Sequence, residues 1–450
     1  MKKYVYISTI TLFIALIANY LFSCEKCVKS CVSFSDLNAD TCVNECKCID
    51  NRFNNWLNWF HIDDYSYKLS DDPICKNNYD ETIEILKEKK LTTKPNIILI
   101  VMDDGSNYVD PMFDAMPFSK KLFDIGGTEY QNAFTSTSFC CPARCQIFTG
   151  MYGHNNGVIS SSGSYSSMEA FLKPLFLNES RQINPKNGKC INNLYRTINM
   201  YLKQMNYTNG MFGKYLNGHE SSNPRFHSMK FVPPGWDKFD MCVNNYMYIG
   251  NMYVMAEWDN TNKTVNYKWY GREEKDYLTD VIGKKSQNFI KENKGPLFLY
   301  VASTAPHGPM TSANRHRDKL EVWDKLFDIY ISNRPNYHNE TSLKTKSSWI
   351  NEIKDRDELL NLTPLYYKKT PINIHKLEFR RRMGSYYALD EMIKSIHDEI
   401  EKKGDLDNTI FILTSDNGLQ QGAHGASHKM YGYEESIRVP LFISGKNFKK

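Results

Sequence analysis

The chain has 450 residues, 24% of them charged and 41% hydrophobic, with a formal net charge of +5. That length suits one large α/β domain with appendages or two ordinary domains, and the composition excludes a disordered chain. The positive charge is small and scattered, and no basic run or nucleic-acid-binding module accompanies it, which argues against a nucleic-acid partner.

Met1-Lys2-Lys3 precedes an apolar run from Ile7 to Phe22, the pattern of a secretory signal peptide over 1–23 cut near Ser23 or Cys24. An uncleaved anchor is the alternative, although the run is short and broken by Asn19 and Tyr20. No later stretch approaches membrane-spanning length. Residues 24–92 form a Cys-rich segment with Cys24, Cys27, Cys31, Cys42, Cys46, Cys48 and Cys75. Such spacing can hold zinc, but behind a signal peptide it predicts a disulfide-stapled appendage of open connectivity. Sequons at Asn178, Asn206, Asn262, Asn339 and Asn361 predict surface glycans on a secreted or lysosomal protein.

The main domain is expected over 93–450. Asn96 to Met102 is an uninterrupted apolar run, as a strand buried on both faces of a parallel sheet requires. Comparable runs are Pro296 to Ala302, Thr409 to Leu413 and Val439 to Ile443. Between the second and third, Phe379, Met383, Tyr386, Leu389, Ile393, Ile396 and Ile400 recur at helical spacing, with Gly404 as a stop. Strands separated by long helical spans predict an α/β fold with a mixed, mostly parallel sheet flanked by helices. The polar stretch 333–367 reads as a surface excursion.

Between the first two runs lies Phe139-Cys140-Cys141-Pro142-Ala143-Arg144, ending at Thr149-Gly150. Pro142 belongs in a first helical turn and Gly150 past a last one, so Cys140 should lie just ahead of a helix N-terminus. Free N–H groups there favour an anion, and Arg144 adds a fork-shaped permanent charge one turn on. Polar motifs also follow each of three strand runs: Asp103-Asp104-Gly105, Ala305-Pro306-His307 and Ser415-Asp416-Asn417-Gly418. In open α/β sheets, ligands bind beyond the carboxyl ends of strands, so these distant segments should meet at one rim. Asp103, Asp104, Asp416 and Asn417 offer only oxygens, which suits Ca²⁺ or Mg²⁺ rather than zinc. A plain turn is the bland reading of either Asp pair alone.

Cys140-x-Pro142-x-Arg144 with Thr149-Gly150 resembles the signature of the sulfatase family, whose cysteine is oxidised to formylglycine. Ala143 stands where the family usually has Ser. The resemblance runs from about Pro95 to Ser444. It implies an alkaline-phosphatase-like fold and a sulfuric ester hydrolase with one Ca²⁺ held by Asp103, Asp104, Asp416, Asn417 and the residue made from Cys140. A formylglycine-generating enzyme would be the maturation partner. In the family pattern, Arg144, Lys214 and Lys429 hold the sulfate, and His307 protonates the leaving oxygen while hydrated formylglycine attacks sulfur. Phe212-Gly213-Lys214-Tyr215-Leu216-Asn217 and Val232-Pro233-Pro234-Gly235-Trp236 resemble the branch of N-acetylglucosamine-6-sulfatase and the extracellular heparan-sulfate endosulfatases. Asp276 to Asp280 and Tyr433-Glu434 through Pro440 resemble it too, which implies a sulfated carbohydrate as substrate, with an aryl sulfate as the alternative.

Leu216 replaces a histidine that many members carry two residues after the lysine; His154, His219 and Asn217 are the candidates for its role. The usual C-terminal subdomain is not recognisable before Lys450. Two rival readings are a phosphate or phosphonate monoesterase of the same superfamily and a non-catalytic glycan-binding glycoprotein.

Overall fold

The computed structural model describes residues 94–448 apart from 107, 109, 162–166, 173–192, 194–195, 220–231, 244, 260–263, 310, 333, 338–371, 425, 427 and 447. The signal peptide, the Cys-rich segment, most of the 333–367 excursion and every sequon asparagine except Asn206 lie outside the described residues. From Pro95 on, these residues belong to one compact unit.

Nine strands form one sheet: β1 (Asn96–Met102), β2 (Thr128–Glu129), β3 (Thr208–Gly213), β4 (Lys238–Cys242), β5 (Tyr253–Asp259), β6 (Thr264–Tyr270), β7 (Leu297–Ala302), β8 (Thr409–Ser415) and β9 (Leu441–Ser444). Their order is β2-β9-β8-β1-β7-β3-β4-β5-β6. β8, β1, β7, β3 and β4 run parallel, and β2, β9, β5 and β6 extend the sheet antiparallel at its two ends. The four apolar runs of the sequence are β1, β7, β8 and β9. β1, β7 and β8 are buried at every position, which is why their sequences do not alternate.

β8 extends beyond the apolar run to Ser415, because Thr414 and Ser415 still pair with Val101 and Met102. β3 lacked a strand signal because two of its six residues are glycines, Gly210 and Gly213. A Cβ at Gly210 would stand 2.9 Å from the Phe289 ring, so the helix behind the strand can pack only on a bare backbone.

Three helices matter for the site: α1 (Cys140–Thr149), α2 (Leu278–Glu292) and α3 (Ile372–Lys402). α3 is the amphipathic helix of the sequence, and its stripe from Phe379 to Ile400 packs with Ile282 and Phe289 of α2 into one core with β1, β3 and β7. By contrast, α1 is buried at all ten positions and therefore shows no amphipathic pattern. Among the described residues, no helix is long and apolar enough to cross a membrane.

Candidate active site

α1 begins at Cys140 itself, with the extended Phe139 as its N-cap, so the cysteine is the first helical residue rather than the one ahead of it. Pro142 leaves the first turn one N–H short at no cost, and Gly150 closes the helix in the left-handed region at φ 68°.

The three strand-end motifs meet here through backbone contacts. Asp103 N–H donates to the Ala305 carbonyl at 3.1 Å, and Asp416 N–H donates to the Met102 carbonyl at 3.2 Å. Asp104 adopts a left-handed conformation at φ 63°, and its N–H donates to Asp416 Oδ1 at 3.1 Å. β3 supplies the fourth arm. Gly213 sits at φ 109°, where a Cβ would stand 2.1 Å from the Ala302 carbonyl oxygen, so only glycine lets Lys214 turn in from there.

The side chains converge around Cys140. Its Sγ lies 3.6 Å from Asp103 Oδ1 and 2.8 Å from Lys429 Nζ. Lys214 Nζ donates to Asp103 Oδ2 at 2.7 Å, and Lys429 pairs closely with Asp104. Arg144 Nε donates to Asp416 Oδ2 at 2.9 Å, while its Nη1 reaches the Lys214 carbonyl at 3.2 Å and the Tyr300 hydroxyl at 3.3 Å. His307 Nε2 stands 3.6 Å from Asp104 Oδ2. The nine residues expected as catalytic or metal-ligating groups thus lie in one cluster, buried except for the partly open His307.

Burial opposes charge on each of these groups, and their neighbours decide the outcome. For Asp103 the cost of burial is outweighed by Lys214, His307 and Arg144, which hold the carboxyl well below its usual range. For Asp104 burial is outweighed by Lys429 and His307, again downward. The two lysines gain more from the carboxylates than burial takes away, so both stay ammonium. Cys140 goes the other way: burial pushes its thiol up to about 12 despite both lysines. Burial also lowers His307, against the pull of Asp104 and Asp103.

These side chains lie close enough together to hold a metal ion. The ligand atoms of Asp103, Asp104, Cys140 and His307 all lie within 4.8 Å of one another. Asn417 donates through Nδ2 to Asp104 Oδ1 at 2.6 Å, yet its buried Oδ1 has no hydrogen-bond partner among the described residues. A buried amide oxygen left over beside two carboxylates is what an oxygen-seeking ion would use. The Asp416 carboxylate is more committed, to Arg144 and to the N–H groups of Asp104 and Asn417.

Of the candidates for the role lost at Leu216, His154 stacks on Tyr152 at 5.6 Å and His219 packs against Tyr215 and Phe239. Asn217 instead points its amide at the Tyr248 hydroxyl, 3.4 Å away. Leu216 is core.

Sequence reasoning missed two supports of the site. Arg382 of α3 pairs closely with Asp110 and donates to the carbonyls of Asp104 at 2.8 Å and Pro306 at 3.2 Å, so one guanidinium ties two of the rim loops together. Its signal was a charge on the apolar stripe, between Phe379 and Tyr386. Tyr248 gave no signal at all.

A mixed, mostly parallel sheet whose carboxyl rim gathers these groups is the alkaline-phosphatase-like class of α/β fold. Within that class, residues 95–450 match the family model described as sulfatase, and the chain belongs to the sulfatase family. It is 28% identical over 358 residues to an extracellular sulfatase SULF-1 homolog of Drosophila melanogaster, covering 78% of this chain and 27% of that protein. Human N-acetylglucosamine-6-sulfatase is 26% identical over 372 residues, which is 80% of this chain and 57% of the relative. The chain therefore spans less than two thirds of the length of these curated relatives. A structure solved in complex with its substrate D-glucosamine-2-N,6-O-disulfate superposes with a TM-score of 0.52 at 21% identity, over 79% of this chain and 72% of that one.

Proposed function

We propose that the chain is a sulfuric ester hydrolase acting on sulfated sugars of the glucosamine 6-sulfate type, with a formylglycine made from Cys140 and one Ca²⁺ ion. The observation that carries this reading is the position of Cys140: a helix-start thiol against Asp103 and Lys429, where side chains from the ends of β1, β3, β7 and β8 converge. The names of the relatives support the substrate class.

The buried thiol is itself a poor nucleophile at neutral pH, because it stays protonated. Its oxidation by a formylglycine-generating enzyme would replace sulfur with an oxygen nucleophile and make release of sulfate possible. Asp103, Asp104, Asp416, Asn417 and residue 140 would hold the Ca²⁺. When bound, that ion would supply Lewis acidity to the site. Arg144, Lys214 and Lys429 balance the formal charges of Asp103, Asp104 and Asp416, so a bound divalent ion leaves the site positive and receptive to an anion. The lysines and Arg144 orient the sulfate and stabilise charge on its oxygens. His307, the most open of these groups at 23% exposure, donates the proton to the departing sugar oxygen. The expected route is secretory, ending in the lysosome or outside the cell.

The test is sulfate release from glucosamine 6-sulfate by protein made in a secretory host, against phosphate release from an aryl phosphate. Sulfate release that is lost in Cys140→Ala supports the proposal. A preference for the phosphate ester, or equal rates for parent and variant, would overturn it.

A further inference from the structure

We propose that Tyr248 is a positioning residue for His307, and that it decides how well the site expels a poor leaving group such as a sugar alkoxide. The inference rests on the reading of His307 as proton donor. Tyr248 lies in the short helical turn Asn245–Ile249 after β4, far in sequence from every motif of the site. Its ring lies against the His307 imidazole, with centroids 4.3 Å apart and planes 32° from parallel. The Lys214 ammonium stands 5.0 Å from the centroid of the same ring, and Asn217 holds the hydroxyl. One aromatic ring thus touches both the proton donor and a sulfate-binding lysine.

The contact is built in from both sides. Thr304, three residues before His307, donates its hydroxyl to the Met247 carbonyl at 3.0 Å. Thr311, four residues after it, donates its hydroxyl to the Ile249 carbonyl at 3.2 Å. Those carbonyls flank Tyr248, so the turn and the histidine loop are pinned together on either side of the stack.

Two other contacts fix the imidazole edges: Nδ1 pairs closely with the Gly308 carbonyl, and Nε2 faces Asp104. Neither restrains the flat face of a partly open ring, and Tyr248 does. In the step concerned, the bond from sulfur to the sugar oxygen breaks and its electron pair goes to that oxygen. The oxygen would take the Nε2 proton and leave a neutral imidazole, while the sulfuryl group would pass to the oxygen at position 140, which enters deprotonated, its proton having gone to solvent. A sugar alkoxide needs that proton; a nitrophenolate leaves without it. Misplacing the donor should therefore penalise the two substrates unequally.

The experiment compares kcat for glucosamine 6-sulfate and 4-nitrophenyl sulfate in the parent, Tyr248→Phe, Tyr248→Ala and His307→Ala. For Tyr248→Ala we expect a loss of about tenfold or more on the sugar sulfate and less than about threefold on the nitrophenyl ester. Tyr248→Phe, which keeps the stack, should restore the parental ratio. If His307→Ala is biased between substrates and Tyr248→Ala is not, the role of Tyr248 falls and the site reading stands. If neither is biased, both fall. Should the alanine variant melt early, Tyr248→Leu refills the volume without a flat ring and gives the same comparison.

Discussion

Two networks of carboxylates and lysines lie in this molecule, one half-buried and one buried, and only the buried one has the makings of a reaction centre. Under the β4–β5–β6 end of the sheet, Asp240 accepts from Lys285 at 2.8 Å and from the Trp258 N–H at 3.2 Å. Glu257 accepts from Lys285 at 2.8 Å and from the Tyr270 hydroxyl at 2.7 Å. Each of these contacts locks one strand to another or to α2. At the carboxyl rim of the parallel strands the count does not close: Asn417 Oδ1 and Arg144 Nη2 are buried without a hydrogen-bond partner among the described residues. Both networks are costly to desolvate. The first is satisfied and holds strands together; the second keeps spare donor and acceptor capacity for something that must bind.

The sharpest way to break this contrast is at position 140. Cys140→Ala should lower sulfate release by at least about a thousandfold while leaving the melting temperature close to the parent's, because it removes the nucleophile and little else. Next comes the cation. Ca²⁺ should raise the melting temperature of the parent and a chelator should lower it, and Asp103→Asn should abolish that response in a thermal-shift assay. A Ca²⁺ response that survives in Asp103→Asn would mean the rim network is structural after all.

The satisfied network should respond in the opposite sense. Lys285→Met leaves Asp240 and Glu257 short of a partner and should cost roughly 3 kcal/mol by denaturant unfolding, with turnover per folded molecule unchanged. At the bottom of the scale, the exposed pair of Lys446 and Asp407 serves as the control: Lys446→Ala should change stability by less than about 0.5 kcal/mol.

Much of the rim was legible in the sequence, for a physical reason. A strand buried on both faces cannot hide its apolar run, so β1, β7 and β8 announced themselves, and the polar residues after each had to emerge at one edge of the sheet. Cys140, Arg144 and the proline and glycine around them were readable because helix ends have strict local chemistry. Legibility failed where tertiary contact replaces local pattern. β3 is a strand because it pairs between β7 and β4, with Phe289 packed on the bare Gly210, and β5 and β6 are partly and mostly exposed strands with no clean alternation. Arg382 was readable in principle, since a guanidinium on a buried stripe demands partners; Tyr248 was not, because an aromatic residue in a short turn gives no sign of what it will stack against.

The central claim is that the thiol at the head of α1 is the precursor of the reactive group. Mass spectrometry of the proteolytic peptide spanning Cys140, from protein made in a secretory host with a formylglycine-generating enzyme, tests it most directly. The account predicts a peptide lighter by the difference between a thiol and an aldehyde, with Cys141 and Cys145 still thiols. An unmodified Cys140 in protein that releases sulfate would contradict it.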